Sequence, residues 1–419
     1  MTRAFLAATA AAAALSTTLA QAQTTTINAG GSSASAPTYI SEFETYTSAN
    51  PTSLFSYEAV GSGAGQSAFL TNNITLFSNY PAGTLTYGTI VGSTVHMGAS
   101  DAFLSASQLT NPATGSYGLS PTDGPLIQLP ADGVGIALSY NYPSITKLRL
   151  TDTLVCGILS GKLTNWNQIV KTGSGVITVV YRSDSSGTTF LLTQHLNAVC
   201  TSANSTFPTL PVPITKTFAS LFPNSTPPTN FIGESGAANV ASTELATAES
   251  FGAITPDFTS LAPKSSNATS LQVAFLQNPG NGTYYQPTVA NIELGLANPG
   301  AGSTNPSPPS TLANAQNPLN WIPSIPVTTQ GYGILGYGTL LLSSCYADKT
   351  AGSILISFLH DNYFTKSYQT IIQNNGFAPL PDTAASPFAT AVQDDFLSNK
   401  SDYHLDIDDK TTCKSYPGR

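Results

Sequence analysis

Charge is what this chain has least of. Only 9% of its 419 residues are Asp, Glu, Lys or Arg. Basic residues number 14 against 22 acidic ones, for a net charge of −8. That balance argues against nucleic acid and anionic membranes as partners, since both call for a concentrated basic face. It leaves room for a small anion, which a buried site can hold through local dipoles whatever the global charge. There are four cysteines and no Cys-x-x-Cys. The four histidines, His96, His195, His360 and His404, are scattered. Neither a zinc site nor an activated thiol is suggested, so no metal and no cofactor are expected. Past the N-terminus no stretch approaches the ~18 uninterrupted apolar residues of a spanning helix, and no membrane insertion is expected.

What is present begins with a leader. Arg3 precedes an Ala-rich apolar run from Ala4 to Leu19, and Ala20-Gln21-Ala22 forms a small-x-small cleavage site. Residues 1–22 read as a secretory signal peptide, which makes the protein periplasmic or secreted. Hydrophobic residues make up 41% of the chain, enough for real cores. Roughly 395 residues beyond the leader exceed what one core supports, so two domains are expected. Four cysteines in an exported chain suggest two disulfides, with three pairings possible. Keeping each bridge within one domain favours Cys156–Cys200 and Cys345–Cys413. Loops of that size are worth roughly 4 kcal/mol apiece in the chain-entropy treatment.

The most informative stretch runs from Val176 to His195. Val176 to Tyr181 reads as a buried strand, and Arg182 stands at its end. Ser185-Ser186-Gly187-Thr188-Thr189 then opens a helix. A helix start presents unpartnered N–H groups and a partial positive charge. Hydroxyls, a close-approach Gly and one Arg placed there describe an anion site, although a plain Ser/Thr cap has the same local pattern. Three earlier stretches repeat the strand-to-turn theme. Ile27 to Pro37 passes through Gly30, Gly31, Ser32 and Ser33 into a helix carrying Tyr39, Ile40, Phe43 and Tyr46. Tyr57 to Leu70 passes through Gly61-Ser62-Gly63. This is not a nucleotide P-loop, which needs Gly-Lys-Ser/Thr, and its glycine spacing misses the dinucleotide fingerprint. Val95 to Leu104 puts Asp101 directly after a strand.

Elsewhere, Thr151–Gly161, Gly236–Ser250 and Ile354–Tyr363 read as helices. Residues 124–140 and Gly333–Leu342 read as strands crossing between domains. Residues 276–320, rich in Asn, Pro, Gly and Ser, read as long surface loops without chemistry. The sequons at Asn73, Asn204, Asn224, Asn267, Asn281 and Asn399 are about what so Ser/Thr-rich a chain contains by chance.

Taken together, the four motifs sit where strands give way to turns, the edge at which open α/β sheets bind ligands. They resemble the periplasmic phosphate-binding proteins of the ABC-type phosphate uptake system (PstS-like), and within them the DING branch of secreted phosphate-binding proteins. The resemblance spans nearly the whole mature chain. Its carriers are Ala29-Gly-Gly-Ser-Ser-Ala34, Val60-Gly-Ser-Gly-Ala-Gly65, Met97-Gly-Ala-Ser-Asp101 and Val180 to Thr189. Leu154 to Trp166, Leu335-Gly-Tyr337, Ser344-Cys-Tyr346 and Phe377-Ala-Pro-Leu-Pro381 add support. Of these, the Arg-x-Asp-x-Ser-Gly-Thr signature from Arg182 is specific, and the Gly-rich pieces are not. The cysteine positions agree with the favoured pairing.

The resemblance implies a two-lobed α/β periplasmic-binding-protein fold (type II), with mixed sheets flanked by helices and a hinge of two crossing strands. Lobe I would comprise 24–130 and 331–419, and lobe II 131–330. Inorganic phosphate would be bound by Ser33, Ala34, Ser62, Ser186, Gly187 and Thr188. Arg182 would neutralise it, Asp184 would hold Arg182, and Asp101 would accept a hydrogen bond from a protonated phosphate oxygen. A monomer delivering phosphate to ABC permease subunits is implied, with no catalytic residues. The alternative is a secreted phosphatase-like enzyme using the same pocket. Two departures stand out. Ser33 replaces the family's Thr, and Ala34 replaces a bulky residue, which loosens that wall of the cleft.

Overall fold

The computed structural model describes residues 24–78, 83–110, 121–305, 307–380, 387–398, 400 and 403–419. The expected signal peptide at 1–22, Pro381 and the Asn399 sequon lie outside the described residues.

The first strand, β1 (Thr25–Gly31), is buried from Ile27 on. It leads into α1 (Ala36–Ala49), where Pro37 occupies the first turn and costs nothing, because the N–H it lacks has no helical partner there. Tyr39, Phe43 and Tyr46 fall at i, i+4 and i+7 and form the helix's buried face. Next come β2 (Ser53–Glu58), α2 (Ser62–Leu70) and β3 (Met97–Ser100). The long β4 (Leu126–Gly135) runs through Ile136 into β5 (Ala137–Asn141). α3 (Asp152–Leu159) starts where Thr151 Oγ1 accepts the Leu154 N–H at 3.4 Å. Then follow β6 (Thr178–Arg182), α4 (Gly187–Val199), β7 (Phe231–Glu234), α5 (Ala237–Ala246) and β8 (Ser250–Ile254). The chain returns through β9 (Leu335–Ser343) and α6 (Lys349–Phe364), which Asp348 caps by accepting the Thr350 N–H at 2.8 Å.

Two mixed sheets organise these elements. The first has six strands: residues 86–87, then β2, β1, β3, β9 and β4. β1 is parallel to β2 and β3, while β9 is antiparallel to β3 and β4. The second has five: residues 272–273, then β5, β8, β6 and β7, with β6 parallel to both neighbours. The chain leaves the first sheet at Gly135–Ala137 and comes back at Ile334–Leu335. There the Ile136 N–H donates to Ile334 O at 2.8 Å, tying the two crossing strands together. Each sheet has its own core. Phe43, Phe55, Tyr57 and Phe358 cluster on the first, with Phe43 and Phe55 stacked at 4.3 Å. Trp166, Val179, Leu196, Phe218 and Phe251 fill the second. This is the two-lobed α/β architecture with mixed sheets.

The disulfides are Cys156–Cys200, tying α3 to the end of α4, and Cys345–Cys413. The 276–320 region departs from a pure loop reading. A helix at Val289–Leu296, capped by Thr288, buries Ile292 and Leu296 in the first core, with Trp321 and Ile325 beside them. Ile292 and Leu296 are its buried apolar side chains, with Val289 half-buried beside them, too few to register as helical periodicity amid Asn, Pro and Gly. The α5 region is also shorter than expected, because Thr247 turns to an extended conformation (φ −109°, ψ 109°) and the chain passes through Glu249, at φ 62°, into β8 at Ser250. Among the described residues no helix is long and apolar enough to cross a membrane.

Glu244, on α5, is fully buried beneath β5. Its Oε2 accepts the Ser139 hydroxyl at 2.6 Å, and its Oε1 has no partner. Burial pushes this carboxyl up to about 8, with the Ser139 bond opposing. Below the ordinary glutamate range the group is protonated whether the chain is folded or unfolded. From there to about pH 8 the unfolded chain releases a proton that the folded chain keeps, so stability falls as pH rises through that window. Glu244→Gln removes this titration. Its melting temperature is expected to gain on wild type from about pH 5 to pH 9, and parallel melting curves would refute the assignment.

Candidate ligand-binding cleft

The cleft lies where both sheets end their parallel strands. Arg182, the last residue of β6, is 3% exposed. Its Nε donates to Asp184 Oδ1 at 2.7 Å and its Nη2 to Oδ2 at 2.5 Å, a bidentate pair. Burial pushes Asp184 up, but the Arg182 charge, its hydrogen bonds and the Gly236 N–H outweigh this and hold the carboxyl below its usual range. Asp184 is thus a permanent counterion that fixes the guanidinium plane.

The helix start follows immediately. Ser186 caps α4, its Oγ accepting the Thr189 N–H at 3.4 Å. The hydroxyl proton of Ser186 stays free to donate elsewhere, because a hydroxyl is both donor and acceptor. Thr188 is 2% exposed, and its Oγ1 has no partner within the protein. A buried hydroxyl without a partner costs about 1–3 kcal/mol.

From the first sheet come Asp101, just past β3, and Ser62, the first residue of α2. The Asp101 N–H donates to Ser62 Oγ at 3.2 Å. Asp101 is 2% exposed. Burial raises its carboxyl above the usual carboxylate range, and bonds from Ser32 and Ser35, the Arg182 charge and Ser62 offset this only in part. Ser33 and Ala34, in the turn after β1, are buried, and Ser33 Oγ accepts the Ala237 N–H of the second lobe at 3.2 Å.

The two sides meet through glycines. A Cβ added at Gly187 would stand 2.5 Å from Ser62 Oγ and 2.7 Å from Asp101 Cβ. Gly61, at φ +92°, brings the start of α2 against Asp184, and the Gly63 N–H donates to Ser185 O at 2.9 Å. All the expected residues, Ser33, Ala34, Ser62, Asp101, Arg182, Asp184, Ser186, Gly187 and Thr188, therefore line the facing edges of the lobes. Four further residues at the cleft carry no local signal of their partners in the sequence. Ser32 and Ser35 bond to Asp101. Lys216 reaches across to the Gln66 side-chain oxygen, and burial holds its amine below the ordinary lysine range. Nothing local distinguishes these four from surface Ser, Gln and Lys; only the long-range approach does. Among the described residues no group of three or more His, Cys, Asp and Glu is placed to hold a metal ion.

A buried, counterion-held guanidinium, a helix N-terminus and an opposed carboxylate between two α/β lobes define a binding protein for a small oxoanion. The comparisons narrow the class. Residues 15–304 match the PBP superfamily domain. The chain is 34% identical over 377 residues to alkaline phosphatase L of Pseudomonas aeruginosa, covering 89% of this chain and 90% of that one. It is 31% identical over 360 residues to a phosphate-binding protein from an unknown prokaryotic organism, covering 82% and 88%. Among solved structures it is similar to a high affinity periplasmic phosphate-binding protein (PfluDING) bound with phosphate. That likeness has a TM-score of 0.74, 30% identity, and coverage of 94% of this chain and 99% of that one. The chain belongs to the PBP superfamily, in its PstS-like group together with the DING proteins.

Gly187→Ala places a methyl group where the lobes touch. Overpacking of this kind costs about 1–3 kcal/mol, charged here to the closed arrangement alone. Small-angle scattering is expected to give a larger radius of gyration than wild type at an unchanged melting temperature. Superimposable scattering curves would show that the contact does not limit closure.

Proposed function

We propose that this protein binds inorganic phosphate in the inter-lobe cleft, outside the cytoplasm, and delivers it to an ABC importer. The observation that carries the reading is the burial of Asp101 inside a site otherwise lined with donors. A carboxylate facing an anion is repulsive unless a proton lies between them. Phosphate retains a proton near neutral pH and sulfate does not, so sulfate meets a buried, uncompensated repulsion. Family membership and the phosphate-binding names of the relatives support the same ligand. The two disulfides suit an oxidising compartment.

In this reading Arg182 neutralises the ligand. Ser33, Ala34, Ser62, Ser186, Gly187 and Thr188 donate from hydroxyl and N–H groups, and Asp184 keeps Arg182 in place. Bonds to a charged ligand contribute about 1.5–3 kcal/mol each, so a handful, less dehydration, reaches the ~8 kcal/mol of micromolar binding. The lobes, expected as 24–130 with 331–419 and 131–330 but with the stretch from Val289 to Ile325 packed into the first core, close on the ligand by hinge motion, and the protein acts as a monomer. Binding needs no bond-breaking step, so the reading is non-enzymatic. The name of the Pseudomonas aeruginosa relative favours a second reading, a phosphatase using the same pocket.

Calorimetric titration with phosphate, arsenate and sulfate tests both. Phosphate is expected to bind at micromolar affinity or better and sulfate far more weakly. Arg182→Ala should weaken phosphate by at least about 30-fold. Asp101→Asn should narrow the preference over sulfate, and an unchanged preference would remove the selectivity argument. Phosphomonoester hydrolysis that co-purifies with the protein and vanishes in Ser62→Ala would favour the enzyme instead.

A further inference from the structure

One hydroxyl near the cleft is not used where its position would ordinarily use it. Ser35 is the N-cap residue of α1, a place where a serine side chain typically accepts an N–H from the first turn. It makes no such bond. Its Oγ donates to Asp101 Oδ1 at 2.7 Å. Ser32 Oγ donates to Asp101 Oδ2 at 2.6 Å and accepts the Ser35 N–H at 3.1 Å, which directs its own proton toward the carboxylate. Ser32 is itself held on both sides. Its N–H donates to Ala99 O at 2.8 Å, and its carbonyl accepts the Tyr57 hydroxyl at 2.7 Å. Ser32 and Ser35 are fully buried.

An ionised carboxylate is an acceptor only, with about four lone-pair positions on its two oxygens. The serines fill one on each oxygen from the α1 side. The other positions remain for a ligand's proton. A neutral Asp101 would carry a proton of its own and would compete with one of these hydroxyls for the same oxygen. The bonds therefore favour the charged form. Other groups act on Asp101 as well. Arg182 of β6 attracts it, and Ser62 of α2 bonds to it. Asp132 of β4, and Asp257 just after β8, share charge repulsion with it. The phenols of Tyr39 on α1 and Tyr57 on β2 also face it.

We propose that Ser32 and Ser35 are positioning residues that hold Asp101 as a fixed, charged acceptor and so set the cleft's preference for oxoanions that carry a proton. This rests on the phosphate-binding reading. A charged Asp101 requires a donor from the ligand. A neutral one supplies the proton itself and tolerates sulfate.

The test uses Ser32→Ala, Ser35→Ala, the double variant and Ser35→Thr, with thermal melts to establish folding. The first measurement needs no ligand: carbon-detected NMR titration of the Asp101 carboxyl. Its acid dissociation constant is expected to fall about tenfold or more in the double variant. Ser35→Ala should show part of that change, and Ser35→Thr, which returns a hydroxyl, should remove it. The second measurement is calorimetry with phosphate and sulfate from about pH 5 to pH 8. The preference for phosphate is expected to narrow about tenfold in the double variant, most at the acid end. A folded double variant with unmoved Asp101 ionisation would overturn the proposal. So would moved ionisation with unmoved selectivity in a wild type that binds phosphate. If the wild type bound no phosphate at all, the reading of the cleft would fail, and with it the selectivity role, while the NMR result would still decide whether the serines hold Asp101 charged.

Discussion

Buried charge is the constraint around which the cleft is arranged. A guanidinium and a carboxylate stand almost out of water within one site, with a second, partly buried carboxylate beside them, and a buried charge without partners is costly. Asp184 meets Arg182 in a two-point contact that both satisfies the pair and orients it. Asp101 has no paired cation in bonding contact. It is held by hydroxyls and by the more distant Arg182 field. The site is thus a charge arrangement with one acceptor facing a set of donors. The surrounding strands and helix starts serve to keep that arrangement dry.

Dryness depends on close approach. Parallel strands bring β1, β2 and β3 to one edge of the first sheet, and β6, β7 and β8 to one edge of the second. The turns that leave those edges must nearly touch for donors from both lobes to reach one ligand. Glycine permits that at Gly187, where any side chain would enter the space of Ser62 and Asp101, and at Gly61, where the backbone also takes a left-handed φ. The crossing strands at Ile136 and Ile334, bonded to one another, join the lobes.

Legibility followed sequence distance. The Arg182 to Thr188 segment could be read directly because its parts act on one another within one strand end and one helix turn. Arg182, Ser186 and Gly187 needed no knowledge of the rest of the chain, whereas the bracing role of Asp184 came only with the family resemblance. The strand–turn–helix pattern around Ser33, Ser62 and Asp101 was also visible, since period and turn residues are local properties. The bonds that Ser32 and Ser35 make to Asp101 span 69 and 66 residues. Lys216 and Gln66 meet across 150. No local pattern encodes such contacts. The helix at Val289–Leu296 is hidden for a related reason, since its assignment rests on a few apolar residues packed into a core made elsewhere.

By itself, then, the sequence determined the local chemistry: an arginine at a strand end, a helix start rich in donors, glycines at the turns, and a family signature specific enough to name the architecture and the carboxylate that braces the arginine. Tertiary structure alone decided how that chemistry is tuned. It turned an N-cap serine away from its helix, surrounded Asp101 with hydroxyls from one element and a guanidinium from another, and buried Thr188 without a partner. The physical reason is that ionisation and desolvation depend on every group within a few ångströms, and folding draws those groups from distant parts of the chain.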